Sequence, residues 1–172
     1  MISPSPAYVA HVAAEDERYV SDELFALLLS WGSSLPGRVL NPPTPQGLAG
    51  TWRPMSEWVA LASSVGLPTL PYRYSSDDVE QHEGWYEPPP VPPDAEARTV
   101  VVVGRRVVGQ PVPRELAARC CELAQRVATP LLGVDLARVD ERWVFAGATV
   151  TPDLQRGGDP LLDALASYLG AQ

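Results

Sequence analysis

The stretch from Leu131 to Leu154, LLGVDLARVDERWVFAGATVTPDL, constrains this chain more than any other. Apolar residues alternate through Leu131–Ala137 and again through Arg142–Ala148, with the polar run Arg138–Glu141 between them. A period of two marks strands with a buried face, so the stretch predicts a β-hairpin. One acid, Asp135, stands inside the first strand among apolar neighbours. A carboxylate there requires a partner, a metal ion or a route to water, because burying it bare is costly.

The rest of the chain supplies elements that could pack on such a hairpin. Tyr8–Val12 alternates as a short strand, and Glu15–Arg18 reads as a solvated loop. Ser21 is placed to cap a helix whose first turn carries Asp22 and Glu23, at the end where the dipole favours acids. Leu24, Leu27, Leu28 and Trp31 recur at helical spacing and predict its buried face, with Gly32 or Gly37 as its stop. Arg38–Asn41 reads as a brief strand halted by Pro42-Pro43. Pro54 is tolerated at the start of a second helix, whose apolar stripe is Trp58, Leu61, Ala62 and Val65 and whose left-handed cap is Gly66.

From Ser75 to Ala97 the chain is acidic and then proline-rich, with Pro88, Pro89, Pro90, Pro92 and Pro93. Proline removes backbone donors and fixes φ, so this segment predicts an extended connector rather than a helix or central strand. Pro89-Pro90-Val91-Pro92 also meets the loose P-x-x-P pattern of peptides read by aromatic grooves. Beyond it, Arg98–Gly104 is a β-branched run, the signature of a strand buried on both faces. Arg105-Arg106 makes a turn and Val107-Val108 the return strand. A helix from Pro113 to about Ala128 carries Leu116, Cys120, Leu123 and Val127 on one stripe. After the hairpin, Gln155–Gly158 predicts a turn, Asp159 a cap, and Leu161–Leu169 a closing helix with Leu161, Leu162, Leu165 and Leu169 in the core.

Composition removes several functions. A chain of 172 residues holds one domain, or two small lobes sharing a core. No apolar run approaches the length of a membrane span, and the N-terminus lacks the basic start and long apolar stretch of a secretory signal. Cys120 and Cys121 are adjacent in a helix, where their side chains point apart, so no disulfide is expected and a reduced, cytoplasmic setting fits. Two histidines, His11 and His82, cannot build a His-rich zinc site. The net charge of −8 disfavours nucleic acid. All 13 basic residues are arginines, and there is no lysine.

The hairpin residues resemble those that close an ATP-grasp ligase domain. In that family a strand of the form Gly-[Val/Ile]-Asp is followed by a second reading Glu-[Val/Ile]-Asn-x-x-Pro. The Asp, Glu and Asn hold magnesium on the nucleotide phosphates. Here Gly133-Val134-Asp135 matches the first strand and Pro152-Asp153-Leu154 the end of the second. Gly147 stands at the glutamate position and Thr149 at the asparagine position. Magnesium takes oxygen ligands in near-octahedral array. A glycine supplies no side-chain oxygen and a threonine only a neutral one.

An earlier frame is similar to the lobe that precedes the ATP-grasp domain in RimK-like and peptide-modifying ligases. It comprises Val39-Leu40-Asn41-Pro42, Trp52-Arg53-Pro54 and Gly66-Leu67-Pro68-Thr69-Leu70-Pro71, with Arg53 where the family has lysine. The hairpin of Arg98–Gly104 and Val107-Val108 resembles the segment just before a helix in the family. Ser75–Ala97 then occupies the place of the central subdomain, with its nucleotide-clamping strands and lysines.

The resemblance implies an α/β (α+β) fold, an ATP-grasp-like remnant. Its parts are a small pre-ATP-grasp-like lobe (1–74), a Pro-rich connector (75–97), and a C-terminal subdomain (98–172) of antiparallel sheet with packed helices. It implies a degenerate ligase without catalytic residues, acting as a scaffold or as a regulatory subunit, with a protein partner or a homo-oligomer and neither nucleic acid nor membrane. Asp135, Arg53 and Thr149 are the vestigial cofactor-binding positions, and no metal or cofactor is expected. One alternative is a minimal ATP-dependent carboxylate–amine ligase using ATP and Mg, with Asp135 on the metal and Asp153 and the arginines assisting. The other is a small-ligand or peptide-binding module without turnover.

Overall fold

The computed structural model describes residues 12–71 and 91–170. All of the expected strand at Tyr8–Val12 but Val12, both histidines and most of the connector lie outside the described residues. The chain divides into two compact units, Met1–Trp52 and Arg53–Gln172.

In the first unit, helix α1 spans Glu17–Ser34. It begins a turn earlier than the Ser21 cap predicted, with Asp16 at the N-cap position and no side-chain cap, so Glu17 and Arg18 are helical rather than loop. The helical period is right but the buried face is not. No residue of α1 is buried, Leu24 and Leu28 are half-buried, and Leu27 and Trp31 are exposed. Gly32 does not stop the helix but lies inside it, against the Pro43 ring. The strand expected at Arg38–Asn41 does not form. Asn41 turns into the left-handed region (φ 49) ahead of the two prolines, which breaks an extended run.

The second unit is a four-stranded antiparallel sheet with helices on both faces. Helix α2 (Met55–Ser64) is followed by β1 (Ala97–Val103), β2 (Arg106–Gly109), α3 (Arg114–Arg126), β3 (Leu131–Val139), β4 (Arg142–Thr149) and α4 (Gly158–Leu169). The strand order is β2-β1-β3-β4. Two tight turns set the register. Gly104 (φ 60) and Arg105 join β1 to β2, so Arg106 belongs to the strand rather than the turn. The Gly104 position has no room for a Cβ beneath the Tyr168 ring, 2.8 Å away. Asp140 (φ 47) and Glu141 (φ 62) join β3 to β4. Both are left-handed, the arrangement that matches the twist of a two-residue hairpin. The strands therefore run further toward each other than the polar run Arg138–Glu141 suggested.

One face of the sheet presents Val100, Val102, Leu132, Val134, Leu136 and Phe145. Against them pack Trp58, Val59, Ala62 and Leu67 from α2 and its exit, and Cys120, Leu123, Ala124 and Val127 from α3 and its end. Gly66 (φ 78) closes α2 as its cap, and the Leu67 amide donates to the Ala62 carbonyl at 3.0 Å. The chain then reaches the edge of β4, where the Phe145 amide donates to the Pro68 carbonyl at 2.7 Å. The opposite face packs Val101 and Val103 on Leu161 and Ala164 of α4. Val100 to Val103 are all buried, as a strand covered on both faces requires. Leu162 and Leu169, expected in the core, are exposed, and Leu165 is half-buried. The helix begins at Gly158, after a 3-10 turn at Leu154–Gly157, and its phase turns Leu161, Ala164 and Tyr168 inward instead. No helix among the described residues is long and apolar enough to cross a membrane.

Candidate functional site

Asp135 sits near the middle of β3, paired across β1 with Thr99 and across β4 with Gly147. Its partner is the Thr99 hydroxyl, which donates to Oδ1 at 2.6 Å. This contact answers how an apolar strand tolerates an acid. A hydrogen bond to a carboxylate is short and strong, and it offsets part of the desolvation cost. Thr99 was not singled out in the sequence, because only the strand register shows that it faces Asp135.

Gly147 stands opposite Asp135, and a Cβ built on it would lie 3.8 Å from Oδ2 and 3.6 Å from the Met55 methyl. A bulge in the β3–β4 pairing follows at once, between Asp135 and Leu136, so that Phe145 rather than Ala146 opposes Leu136. The extra residue lets Phe145 turn into the core while Gly147 stays beside Asp135. Thr149 pairs with Gly133, two residues before Asp135 on the same strand face. Its hydroxyl accepts the Thr151 amide at 3.2 Å and lies 3.3 Å from the Thr151 hydroxyl. The sheet thus places Gly147 opposite Asp135, and Thr149 two residues further along, opposite Gly133.

The other candidates are engaged elsewhere. Arg53 donates to Glu57 one turn along α2, and its guanidinium lies over the Trp58 ring, 5.9 Å from the centroid. Asp153 caps the 3-10 turn by accepting the Gln155 amide at 3.0 Å, and it pairs with Arg156 at 3.2 Å. Cys120 and Cys121 are both free thiols. Burial pushes Cys120 up to about 12, with the neighbouring Cys121 adding to it, and burial also raises Cys121. Thiols held in the protonated form are poor nucleophiles.

The fold resembles that of peptide-modifying ATP-grasp ligases. The macrocyclase MdnC from Microcystis aeruginosa MRC, solved bound with precursor peptide MdnA, matches with a TM-score of 0.70 and 13% identity, over 94% of this chain and 72% of that one. A Chryseobacterium gregarium RiPP-associated ATP-grasp ligase, in complex with ADP and a leader and core peptide, matches with a TM-score of 0.65 and 11% identity, over 95% and 69%. The macrocyclase MdnB from Microcystis aeruginosa MRC matches with a TM-score of 0.52 and 19% identity; this chain spans 54% of its length. No protein-family model and no curated protein matches the sequence. At these identities the likeness is one of fold, and the fold is ATP-grasp-like.

Such a fold implies a magnesium–nucleotide pair, and among the described residues the donors around Asp135 do not fit one. Among the described residues no three His, Cys, Asp or Glu side chains lie close enough together to hold a metal ion. Across the sheet from Asp135 there is a hydrogen atom where a carboxylate would be needed, and the Thr149 hydroxyl is already used in its own turn. A single carboxylate is a thin donor set for a cation that prefers several hard oxygens.

Proposed function

We propose that this protein is a catalytically inactive ATP-grasp-like protein that works by binding a protein or peptide, as a scaffold or as an accessory subunit of another enzyme. The observation that carries this reading is the Asp135–Gly147 pair. In the strand pair that would carry the metal ligands, the residue opposite the aspartate has no side chain. The absence of lysine from the whole chain points the same way. So does the short connector 75–97 in place of a nucleotide-clamping subdomain, with residues 1–74 corresponding to the preceding lobe and 98–172 to the closing subdomain. Two of the matched structures were solved with peptides, which makes a peptide segment a reasonable partner for this fold. A cytoplasmic setting follows from the same reading.

Calorimetric titration with ATP in millimolar magnesium chloride tests it. The inactive reading expects no saturable heat. A minimal ligase would bind ATP in a magnesium-dependent manner and lose that binding in Asp135→Asn. Light scattering on the purified chain, against the monomer mass of 18.6 kDa, distinguishes self-association from a partner of another kind.

A further inference from the structure

Strand β2 ends the sheet, and no strand lies beyond it among the described residues. Its register with β1 pairs Val103 with Arg106 across the tight turn, Val102 with Val107, Val101 with Val108 and Val100 with Gly109. Antiparallel pairs alternate between bonded and non-bonded, and the 3.4 Å bond from the Gln110 amide to the Thr99 carbonyl fixes the phase. Val107 and Gly109 therefore turn their backbone N–H and C=O groups away from β1, toward the open edge. A cavity of about 580 Å3 runs along that edge. Val107 and Val112 pack with the core on the α3 side, and with Ala117 of α3 they make one wall apolar. Arg106 shares the strand face of Val108, which packs with the core on the α4 side, and Arg156 and Pro160 complete that wall. Both charged residues lining the cavity are arginines, in a chain whose net charge is −8. Arg156 also pairs with Asp153 at 3.2 Å, but Asp153 does not line the cavity. The far end is braced: the Gln110 side chain accepts the Thr99 amide at 2.8 Å, and the Arg98 guanidinium donates to the Pro111 carbonyl.

We propose that this groove binds an extended peptide segment of another protein, added as a fifth strand beside β2, with acidic and apolar side chains in alternation. The inference rests on the reading that the chain works by binding a protein or peptide, and it names the surface and the partner's chemistry. A peptide laid on an open sheet edge gains main-chain hydrogen bonds from the edge and specificity from pockets for alternate side chains. Successive side chains of such a strand point to opposite faces of the sheet, and so to opposite walls of the groove. Those on the α4 side meet Arg106 and Arg156 and are acids; those on the α3 side meet Val107, Val112 and Ala117 and are apolar. The unlike walls thus set both the charge of the partner and its period of two.

The test is fluorescence anisotropy on the full chain with a labelled peptide, Gly-Glu-Val-Glu-Val-Glu-Gly, blocked at both ends. Saturable binding is expected, weakened about tenfold when Arg106→Gln and Arg156→Gln are combined, and weakened again by molar salt. The same peptide with lysine for glutamate, and one of the same composition with its glutamates in a block, should bind no better than the alternating peptide binds the double variant. Hydrogen exchange followed by NMR supplies a readout that charge attraction alone would not move: the Val107 and Gly109 amides should become protected when the alternating peptide binds. No binding, equal binding by the double variant, a lysine or block peptide that binds as well, or unprotected Val107 and Gly109 amides would each overturn the proposal. Binding that emerges only after Asp78→Asn and Glu80→Gln are introduced together would also overturn it, because the acidic connector of this chain or of a second copy would then be the occupant. Failure of the peptide experiments leaves the inactive reading standing, since the ATP titration decides that. Magnesium-dependent ATP binding would sink the inactive reading and leave the groove to be judged by the peptide.

Discussion

Thr99 and Asp135 meet across the β1–β3 pair, and their bond lets a half-buried acid persist between apolar neighbours. Thr99→Val keeps the shape and removes the donor, leaving Oδ1 unpaired. Loss of a hydrogen bond to a charged group costs about 1.5–3 kcal/mol, and urea unfolding at neutral pH should show a loss of that order, largely restored in Thr99→Ser. Two glycines on neighbouring strands, Gly133 of β3 and Gly147 of β4, give a sharper contrast. A Cβ at Gly133 would lie 2.9 Å from both the Pro152 Cβ and the Thr149 methyl, so Gly133→Ala forces the hairpin and its exit apart. Overpacking of this kind costs about 1–3 kcal/mol. At Gly147 the added methyl meets only ordinary contacts, and Gly147→Ala should be neutral or stabilising by up to about 1 kcal/mol through the unfolded chain. Parallel denaturation curves for the two variants check both signs. If Gly147→Ala were the more damaging, the space beside Asp135 would not exist.

Among the elements, the sheet half of the molecule was legible in the sequence and α1 was not. Leu131–Ala137 and Arg142–Ala148 each carry apolar alternation, and Val100–Val103 is apolar at every position, so the strands follow from the residues alone. Even the order of elements after the connector was readable. What the sequence could not give was register: the Thr99–Asp135 bond and the bulge beside it depend on how three strands align. In α1 the spacing of Leu24, Leu27, Leu28 and Trp31 shows which residues share a stripe but not whether anything covers it. The same limit explains the closing helix, where a start at Gly158 rotates Leu162 outward and Leu161 inward. Substitution measures the difference. Leu161→Ala empties a fully buried position and should cost about 2–5 kcal/mol. Leu27→Ser and Trp31→Ser, at exposed positions, should each change the unfolding free energy of the isolated protein by less than about 0.5 kcal/mol. Large losses there would mean that the stripe is covered in solution.

At the scale of the whole molecule, the distribution of core residues decides where the chain can be cut. The sheet's larger cluster draws Trp58, Val59, Ala62 and Leu67 from the stretch before the connector and everything else from after it. The Pro68 carbonyl and Thr69 also cover the edge of β4 at Phe145. An exposed strand edge invites association with other chains, so this segment both fills the core and guards the sheet. A fragment from Arg53 to Gln172 contains the whole cluster and should unfold cooperatively in urea, with the near-ultraviolet dichroism of a packed Trp58. A fragment starting at Ser75 keeps the connector and all four strands but removes α2. Each fully buried large apolar side chain contributes about 1.5–3 kcal/mol, and the loss of Trp58, Val59 and Leu67 together approaches the entire stability of a small domain. That shorter fragment should therefore aggregate or bind a hydrophobic dye without a cooperative transition. If it instead unfolds as sharply as the longer one, residues 53–71 belong functionally to the N-terminal lobe and the division at residue 74 holds. If only the longer fragment folds, the connector is an insertion within one packed unit that α2 completes.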